Sequence, residues 1–155
     1  EFLPLVRNVI KETGIAPRRL ELEVTETAMM QDKARAAAIL KELSGMGISV
    51  AVDDFGTGYS NLSYLIDFSF QKLKIDKSFV ARMEQDASSG AVVSTIVGLS
   101  RALGVHTIAE GVETEEQATL LRAAGCDVVQ GYFYGRPAPL MFAQPEEPRR
   151  VANYH

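Results

Sequence analysis

The stretch that decides the fold is ISVAVDDFGTG, residues 48–58, where an apolar strand pattern runs into two aspartates and a glycine-rich turn. Ile48, Val50 and Val52 alternate with small or polar residues, which is typical of a strand with one apolar and one polar face. Strands of an open doubly wound sheet are covered by helices on both sides and are apolar on both. The alternation therefore favours a barrel, whose interior can be polar near the strand ends.

The same strand pattern recurs along the chain, with helical segments between the strands. Repeated strand–helix units give parallel strands joined by helical crossovers, so we predict an α/β fold of the (β/α)8 TIM-barrel-like type. Only about five strands are visible, and we expect the chain to hold about the last five strand–helix units. The predicted strands cover residues 20–25, 48–54, 72–75, 105–110 and 128–132, and the predicted helices cover 2–13, 32–46, 91–103 and 114–124.

Composition and charge narrow the class of protein. The 155 residues include 16 Lys and Arg against 20 Asp and Glu, a net charge of −4 that argues against a nucleic-acid polymer as partner. The single cysteine, Cys126, excludes an internal disulfide and suits a reducing cytosol. No stretch approaches the length of a membrane span. We expect a cytoplasmic domain, and attachment of its parent protein to a membrane stays open.

Acidic or amide side chains follow nearly every predicted strand, at the end where TIM-like barrels build their active sites. Converging carboxylates repel one another unless cations neutralise them. Oxygen ligands without a His or Cys cluster favour hard ions such as Mg²⁺ or Mn²⁺, and two such ions can clamp a phosphoryl centre. The side chains concerned are Glu23, Glu26, Asp53, Asp54, Asp76, Glu110, Glu113 and Gln130.

Two features of the strand ends leave alternatives open. Lys74 lies on the inward side of its strand, where a lysine needs a partner. It either forms an ion pair with Asp76 or lies among the carboxylates as a cation that orients, or helps to deprotonate, an attacking water. Asp53 and Asp54 are neighbours and point to opposite sides of a regular strand. We expect residues 55–58 to supply the break that lets both reach one site.

Five motifs, taken together and in this order, resemble those of the EAL-domain cyclic di-GMP phosphodiesterases. The likeness runs from about residue 2 to residue 140. It implies a modified TIM barrel that hydrolyses cyclic di-GMP to linear pGpG with two Mg²⁺ or Mn²⁺ ions. The motifs are EVTE at 23–26, DDFGTGYS at 53–60, LKID at 73–76, AEGVET at 109–114 and QGY at 130–132.

The resemblance also implies roles for single residues. Metal ligands are expected at Glu23, Asp53, Asp54 and Glu110, with Asp53 bridging the two ions. Lys74 is expected to contact the nucleophilic water, and we group Glu110 with it as catalytic.

Three further residues are expected to support the cofactor site. Gln130 resembles a polar residue that helps to hold the metal network, and Glu26 and Glu113 resemble residues behind the ligands. Glu26 is expected to anchor the loop that begins at Asp53, which would couple ligand geometry to loop position.

The chain departs from the family pattern in two ways. The Glu-Ala-Leu strand, with its metal-ligand glutamate and a nearby substrate arginine, is absent, as is an asparagine ligand of the following strand. Ser69 and Gln71 stand where the family usually has Pro and Asp, and we expect only a local packing change. We interpret residues 1–143 as a partial EAL domain and 144–155 as a tail. The parent is expected to be an active enzyme, and the chain alone to be inactive.

The alternative function is that of a receptor that binds cyclic di-GMP without hydrolysing it. Degenerate receptors usually carry damage in the Asp-Asp-Phe-Gly loop or in the lysine strand, and both are intact here, which favours the enzyme. Expected partners are cyclic di-GMP and, in the parent, GGDEF or sensory domains. A second copy of the chain is also expected, as a homodimer or through the open edges of an incomplete barrel.

Overall fold

Five parallel strands form one sheet in the order β1-β2-β3-β4-β5. The computed structural model describes residues 1–57 and 62–138. Strand order follows chain order without the reversal of a doubly wound sheet, so the predicted partial (β/α)8 arrangement is confirmed. All five predicted strands are present within two residues of their expected ends. They are β1 Glu21–Thr25, β2 Ser49–Phe55, β3 Lys72–Ile75, β4 His106–Glu110 and β5 Val128–Gln130.

The helices lie between the strands, as predicted, but two of them are additional. The four predicted helices correspond to α1, α3, α5 and α6, and α5 begins four residues earlier than expected because Asp86 caps it. Within the described ranges no helix is both long and apolar enough to cross a lipid bilayer. The helices are α1 Phe2–Thr13, α2 Glu26–Gln31, α3 Lys33–Gly45, α4 Lys77–Arg82, α5 Ala87–Leu103 and α6 Glu115–Ala124, with short 3₁₀ helices at Pro17–Arg19 and Leu62–Asp67.

The additional helices α2 and α4 each begin at a capping side chain. Thr25 Oγ1 accepts a hydrogen bond from Ala28 N at 3.3 Å, and Asp76 Oδ1 accepts one from Ser78 N at 3.0 Å. Thr25 is the last residue of β1 and Asp76 directly follows β3, so the chain turns into a helix as soon as it leaves the sheet. Each of these helices has six residues, too few for a recognisable helical spacing of apolar side chains. In the sequence, only their capping residues indicate them.

The core lies on the apolar side of the sheet. Val50, Val52, Leu73 and Ile75 are at most 1% exposed and pack in one cluster with apolar side chains of α3, α5 and α6. The other side of the same strands carries charged residues. The alternation seen in the sequence thus separates a helix-covered face from a polar inner face, and the inner face holds the candidate site.

Gln71, one of the two departures from the family pattern, holds the lower end of β3 against β2. Its Oε1 accepts a hydrogen bond from Val50 N at 2.8 Å, its backbone N donates to Val50 O at 2.9 Å, and its Nε2 donates to Ser44 Oγ at 3.4 Å. Gln71 immediately precedes β3, at the end of the sheet opposite the carboxylates. The contacts of Gln71 therefore lie away from the candidate site.

Candidate metal and active site

Carboxylates from three strands converge on one lysine at the carboxyl end of the sheet. Lys74 Nζ, on β3, lies 2.8 Å from Glu23 Oε1 on β1, 3.1 Å from Asp53 Oδ1 on β2 and 2.8 Å from Glu110 Oε1 on β4. Parallel strands bring their carboxyl ends to one edge, and this explains how residues so distant in sequence meet. We call these four side chains the Lys74 cluster.

The structure contradicts one of the two alternatives for Lys74. Asp76 caps α4 through Ser78 N, and the ion pairs of Lys74 go to other carboxylates, so the alternative of an ion pair with Asp76 is not what forms. Lys74 lies among the carboxylates, and only 8% of its side chain is exposed. Burial alone would lower the pKa of Lys74, but its hydrogen bonds to Glu110, Glu23 and Asp53 outweigh burial and raise that pKa well above its usual value. Lys74 is therefore a charged ammonium.

A bulge in β2 separates the two neighbouring aspartates. Val52 pairs with Leu73 and Phe55 with Ile75, so β2 contains one residue more than β3 over this interval. Asp54 has a φ of 53°, the only positive value for a non-glycine residue in the described ranges. Aspartate tolerates this left-handed conformation better than most residues do. The break that we expected in residues 55–58 lies instead inside the strand, at Asp54.

The bulge gives the two aspartates different surroundings. Asp53 points into the Lys74 cluster, and its Oδ1 also accepts a hydrogen bond from Asp54 N at 3.0 Å. Asp54 is exposed at the rim beside it. The structure thus brings Glu23, Asp53 and Glu110 together on Lys74, while Asp54 lies next to them and faces solvent.

Glu26 joins the end of β1 to the loop after β2. It is 3% exposed, and its Oε2 accepts a hydrogen bond from Gly56 N at 3.2 Å. Gly56 has a φ of 93°, a conformation that favours glycine. Glu26 therefore contacts the loop after β2 one residue beyond the strand that carries Asp53. The end of this motif, residues 58–60, lies outside the described residues.

Gln130 and Glu113 lie beside the cluster and not in it. Both are exposed, and with Glu110, Tyr132 and Lys77 they line a cavity of about 280 Å³. The backbone N of Glu113 donates to Gln117 Oε1 at 2.8 Å, at the start of α6. These two residues border the space in front of Glu110.

Lys77 is a cavity residue that the sequence analysis did not find. Gly111, which follows Glu110, has a φ of 72°, and a Cβ built on it would lie 2.6 Å from the Cβ of Lys77. The stem of Lys77 therefore packs where only glycine leaves room. The sequence does carry one signal, a glycine directly after a strand-end glutamate. Such a glycine indicates that another residue packs closely against the backbone, but it does not identify that residue.

A second charged layer lies lower on the inner face. Lys72 Nζ is 2.6 Å from Glu21 Oε2, and Ser49 Oγ donates to the same oxygen at 2.8 Å. Burial raises the pKa of Glu21, but the hydrogen bonds from Lys72 and Ser49 outweigh burial, and that pKa is lowered. The inner face thus has two levels of ion pairs. Lys72 pairs with one carboxylate at the lower level, and Lys74 pairs with three at the carboxyl edge.

The donor chemistry of the Lys74 cluster fits a hard divalent cation. Three carboxylates against one ammonium leave two surplus negative charges, the charge that one divalent ion balances. All the donors are oxygens, which suits Mg²⁺ or Mn²⁺ better than zinc. Across residues 1–57 and 62–138 no three His, Cys, Asp or Glu side chains are arranged as a ready metal site. The carboxylates are turned towards the ammonium.

A parallel sheet in chain order, with an acidic cluster at its carboxyl edge, defines this chain as part of a TIM-barrel-like domain. The chain belongs to the EAL domain family, whose family model matches residues 1–137. It is 45% identical over 134 residues to the bifunctional diguanylate cyclase/cyclic di-GMP phosphodiesterase MucR of Pseudomonas aeruginosa. That match covers 86% of this chain and 20% of MucR.

Two solved structures extend the comparison. The MucR phosphodiesterase in complex with cyclic di-GMP is 43% identical, with a TM-score of 0.86 over 90% of this chain and 56% of that one. BlrP1 of Klebsiella pneumoniae, in a manganese and cyclic di-GMP complex, is 33% identical, with a TM-score of 0.80 over 88% of this chain and 35% of that one. This chain therefore spans less than two thirds of each of these proteins.

Proposed function

We propose that the domain containing this chain hydrolyses cyclic di-GMP to linear pGpG with two Mg²⁺ or Mn²⁺ ions. The observation that carries the proposal is the Lys74 cluster, in which carboxylates of three strands, Glu23, Asp53 and Glu110, meet at the carboxyl edge of the sheet. The relatives support the substrate and the cofactor, since MucR is solved with cyclic di-GMP and BlrP1 with manganese as well.

The residues that would hold the ions are Glu23, Asp53, Asp54 and Glu110. When bound, such ions polarise the phosphoryl oxygens and supply an activated water. Asp53 faces the Lys74 cluster, and its Oδ1 also accepts a hydrogen bond from the neighbouring backbone N of Asp54. The exposed carboxylate of Asp54 adds a donor from the solvent side.

Lys74 acts in this proposal as a donor. Its ammonium lies among the three carboxylates that would hold the ions, and the proposal assigns it the contact with the attacking water. A fixed positive charge in a buried position also stabilises the negative charge that develops on the phosphoryl oxygens.

Three residues position this machinery. Glu26 holds the loop after Asp53 through Gly56 N. Gln130 and Glu113 border the cavity in front of Glu110, where they can order the cofactor shell. A mutation of any of these three is expected to act through the geometry of the carboxylates.

We also propose where the domain ends and which partners the parent protein has. We place the end of the domain at residue 143 and a tail at 144–155, a boundary that lies outside the described residues. GGDEF or sensory domains in the parent, and association with a second copy, are proposed partners. The bifunctional name of MucR supports the first of these.

The test is turnover of cyclic di-GMP by the complete domain with Mg²⁺, followed by chromatographic separation of pGpG. Asp53→Asn and Lys74→Ala should each lower turnover by orders of magnitude, because removing such groups costs several kcal/mol of transition-state stabilisation, roughly 3 kcal/mol each. Glu116→Gln, an exposed carboxylate of α6, is the matched control and should leave turnover unchanged. Binding without turnover in the unmodified domain would favour the receptor function, and normal turnover of Asp53→Asn would refute the site.

A further inference from the structure

The ammonium of Lys74 uses all of its hydrogen-bonding capacity inside the cluster. A lysine ammonium has three N–H donors. The three contacts of Nζ, at 2.8, 3.1 and 2.8 Å, go to three different carboxylates. With 8% of the side chain exposed, no donor is left for a water or a phosphate. In this arrangement Lys74 is locked and cannot also orient an attacking water.

The same oxygens that hold Lys74 are the proposed ligands for the divalent cation. Each lies within 3.1 Å of one nitrogen, so the ammonium occupies the centre of the carboxylate set. A carboxylate oxygen that turns to a cation gives up or weakens its hydrogen bond to Nζ. Cation binding and the locked state of Lys74 therefore compete for the same groups.

We propose that Lys74 is an internal counter-ion that closes the ion-free site and is released as the carboxylates take up a divalent cation. Release frees an N–H donor, which can then point at the attacking water. The lysine would thus become competent only in a loaded site. This inference rests on the proposed function in one respect, that Glu23, Asp53 and Glu110 bind a divalent cation.

Lys72 provides a matched control on the same strand. It lies two residues earlier on the same inner face, and its Nζ contacts one carboxylate, Glu21, at 2.6 Å. Its side chain is 34% exposed, so it keeps access to water. Replacing Lys72 removes one lysine charge from the same face without touching the proposed ligands.

The first experiment uses the complete domain and compares its Lys74→Met and Lys72→Met variants with the unmodified chain of that domain, by thermal unfolding in EDTA and in Mn²⁺ and by calorimetric Mn²⁺ titration. In EDTA, Lys74→Met should unfold at the lowest temperature because three carboxylates lose their counter-ion. Mn²⁺ should raise its midpoint most, and its Mn²⁺ affinity should exceed that of the unmodified chain by about tenfold, since a competing positive charge is gone. Lys72→Met should show the Mn²⁺ response of the unmodified chain.

A second measurement uses the unmodified protein, so its result does not depend on whether a substitution disturbs the fold. In a chain with ¹⁵Nζ-labelled lysine, the locked ammonium of Lys74 should give a slowly exchanging NMR signal in EDTA. Mg²⁺ should shift that signal or speed its exchange, while the Lys72 signal stays unchanged. A Lys74 signal that does not respond to saturating Mg²⁺ would overturn the inference.

The outcomes separate this inference from the proposed function. Equal Mn²⁺ affinity and equal stabilisation by Mn²⁺ in Lys74→Met and the unmodified chain would overturn the inference that Lys74 competes with the cation. This outcome does not depend on whether the domain hydrolyses cyclic di-GMP. Tighter Mn²⁺ binding by Lys74→Met in a domain that does not hydrolyse cyclic di-GMP would support the lock and refute the hydrolase. Absence of Mn²⁺ binding in every variant would overturn both.

Discussion

Replacing Gly131 by alanine should destabilise the chain more than any other single methyl group added to a described glycine with an unstrained φ. A Cβ built on Gly131 would lie 2.1 Å from Val112 O, 2.2 Å from Val112 N and 2.6 Å from Val112 C. These are backbone atoms, which cannot rotate away as a side chain can. Ordinary contacts of a Cβ begin near 3.4 Å, so the backbone at Val112 must retreat by more than 1 Å.

The magnitude follows from what that retreat breaks. Val112 N donates to Gln130 O at 3.1 Å, and Phe133 N donates to Val112 O at 3.0 Å. Each such bond contributes about 1 kcal/mol, and overpacking of a tight contact costs about 1–3 kcal/mol. Since moving Val112 relieves the clash only by breaking these two bonds, we expect a loss of about 3–5 kcal/mol in the free energy of unfolding.

Urea unfolding followed by circular dichroism measures this loss. Gly98→Ala is the matched control, because Gly98 lies inside α5 with no atom within 4 Å of its built Cβ. Alanine there should stabilise the helix by about 0.5–1 kcal/mol. A Gly131→Ala chain that unfolds at the urea concentration of the unmodified chain would refute the reasoning, and would mean that β5 can move away from Val112 freely.

Three further predictions concern acid stability, activity and association. Thr107 N and Oγ1 donate to Asp127 Oδ2 at 2.7 and 2.8 Å, and these bonds outweigh burial and lower the pKa of Asp127. The stabilisation is thus full above a pH of about 4 and is lost as pH falls through the folded pKa, so Asp127→Asn should lower the urea midpoint at pH 7 and converge with the unmodified chain once the pH is below that lowered pKa. A protein made of these 155 residues alone should hydrolyse cyclic di-GMP at background rate with Mg²⁺, and turnover that scales with its concentration and is lost in Asp53→Asn would contradict this. The same chain should be a dimer or larger by light scattering at micromolar concentration. No residue of the edge strands β1 and β5 is fully buried, and exposed strand edges tend to pair with another chain. A monomer with slow amide exchange in β1 would show that expectation to be wrong.

The sequence predicted those strands and helices that are indicated by residues close together in the chain. The alternation of Val50 and Val52 with Ala51 and Asp53 gave the strand and its two faces. The capping box between Thr114 and Gln117 gave the start of α6, and both of its hydrogen bonds are present. Such signals depend on neighbours within a few residues, so a single chain displays them without knowledge of its fold.

The candidate residues could be named from the sequence, but their partners could not. Glu23, Asp53 and Glu110 each lie within two residues of the carboxyl end of a predicted strand, and from this alone they were expected at one edge of the sheet. Their convergence on Lys74, and the role of Asp76 as a cap, depend on the register between strands far apart in sequence. Register is a property of pairing, and a pattern within one strand leaves it open.

The bulge at Asp54 shows most clearly how the site depends on pairing. Two adjacent aspartates in a regular strand face opposite sides, and one of them would point into the apolar core beside Val52. The extra residue in β2 relative to β3 removes that conflict, because the left-handed turn at Asp54 sends its carboxylate to the solvent rim. Phe55 then returns to the core at 3% exposure. One backbone irregularity therefore keeps the apolar face continuous while Asp53 points to Lys74 and Asp54 faces the solvent rim, and the site and the core are made compatible at this residue.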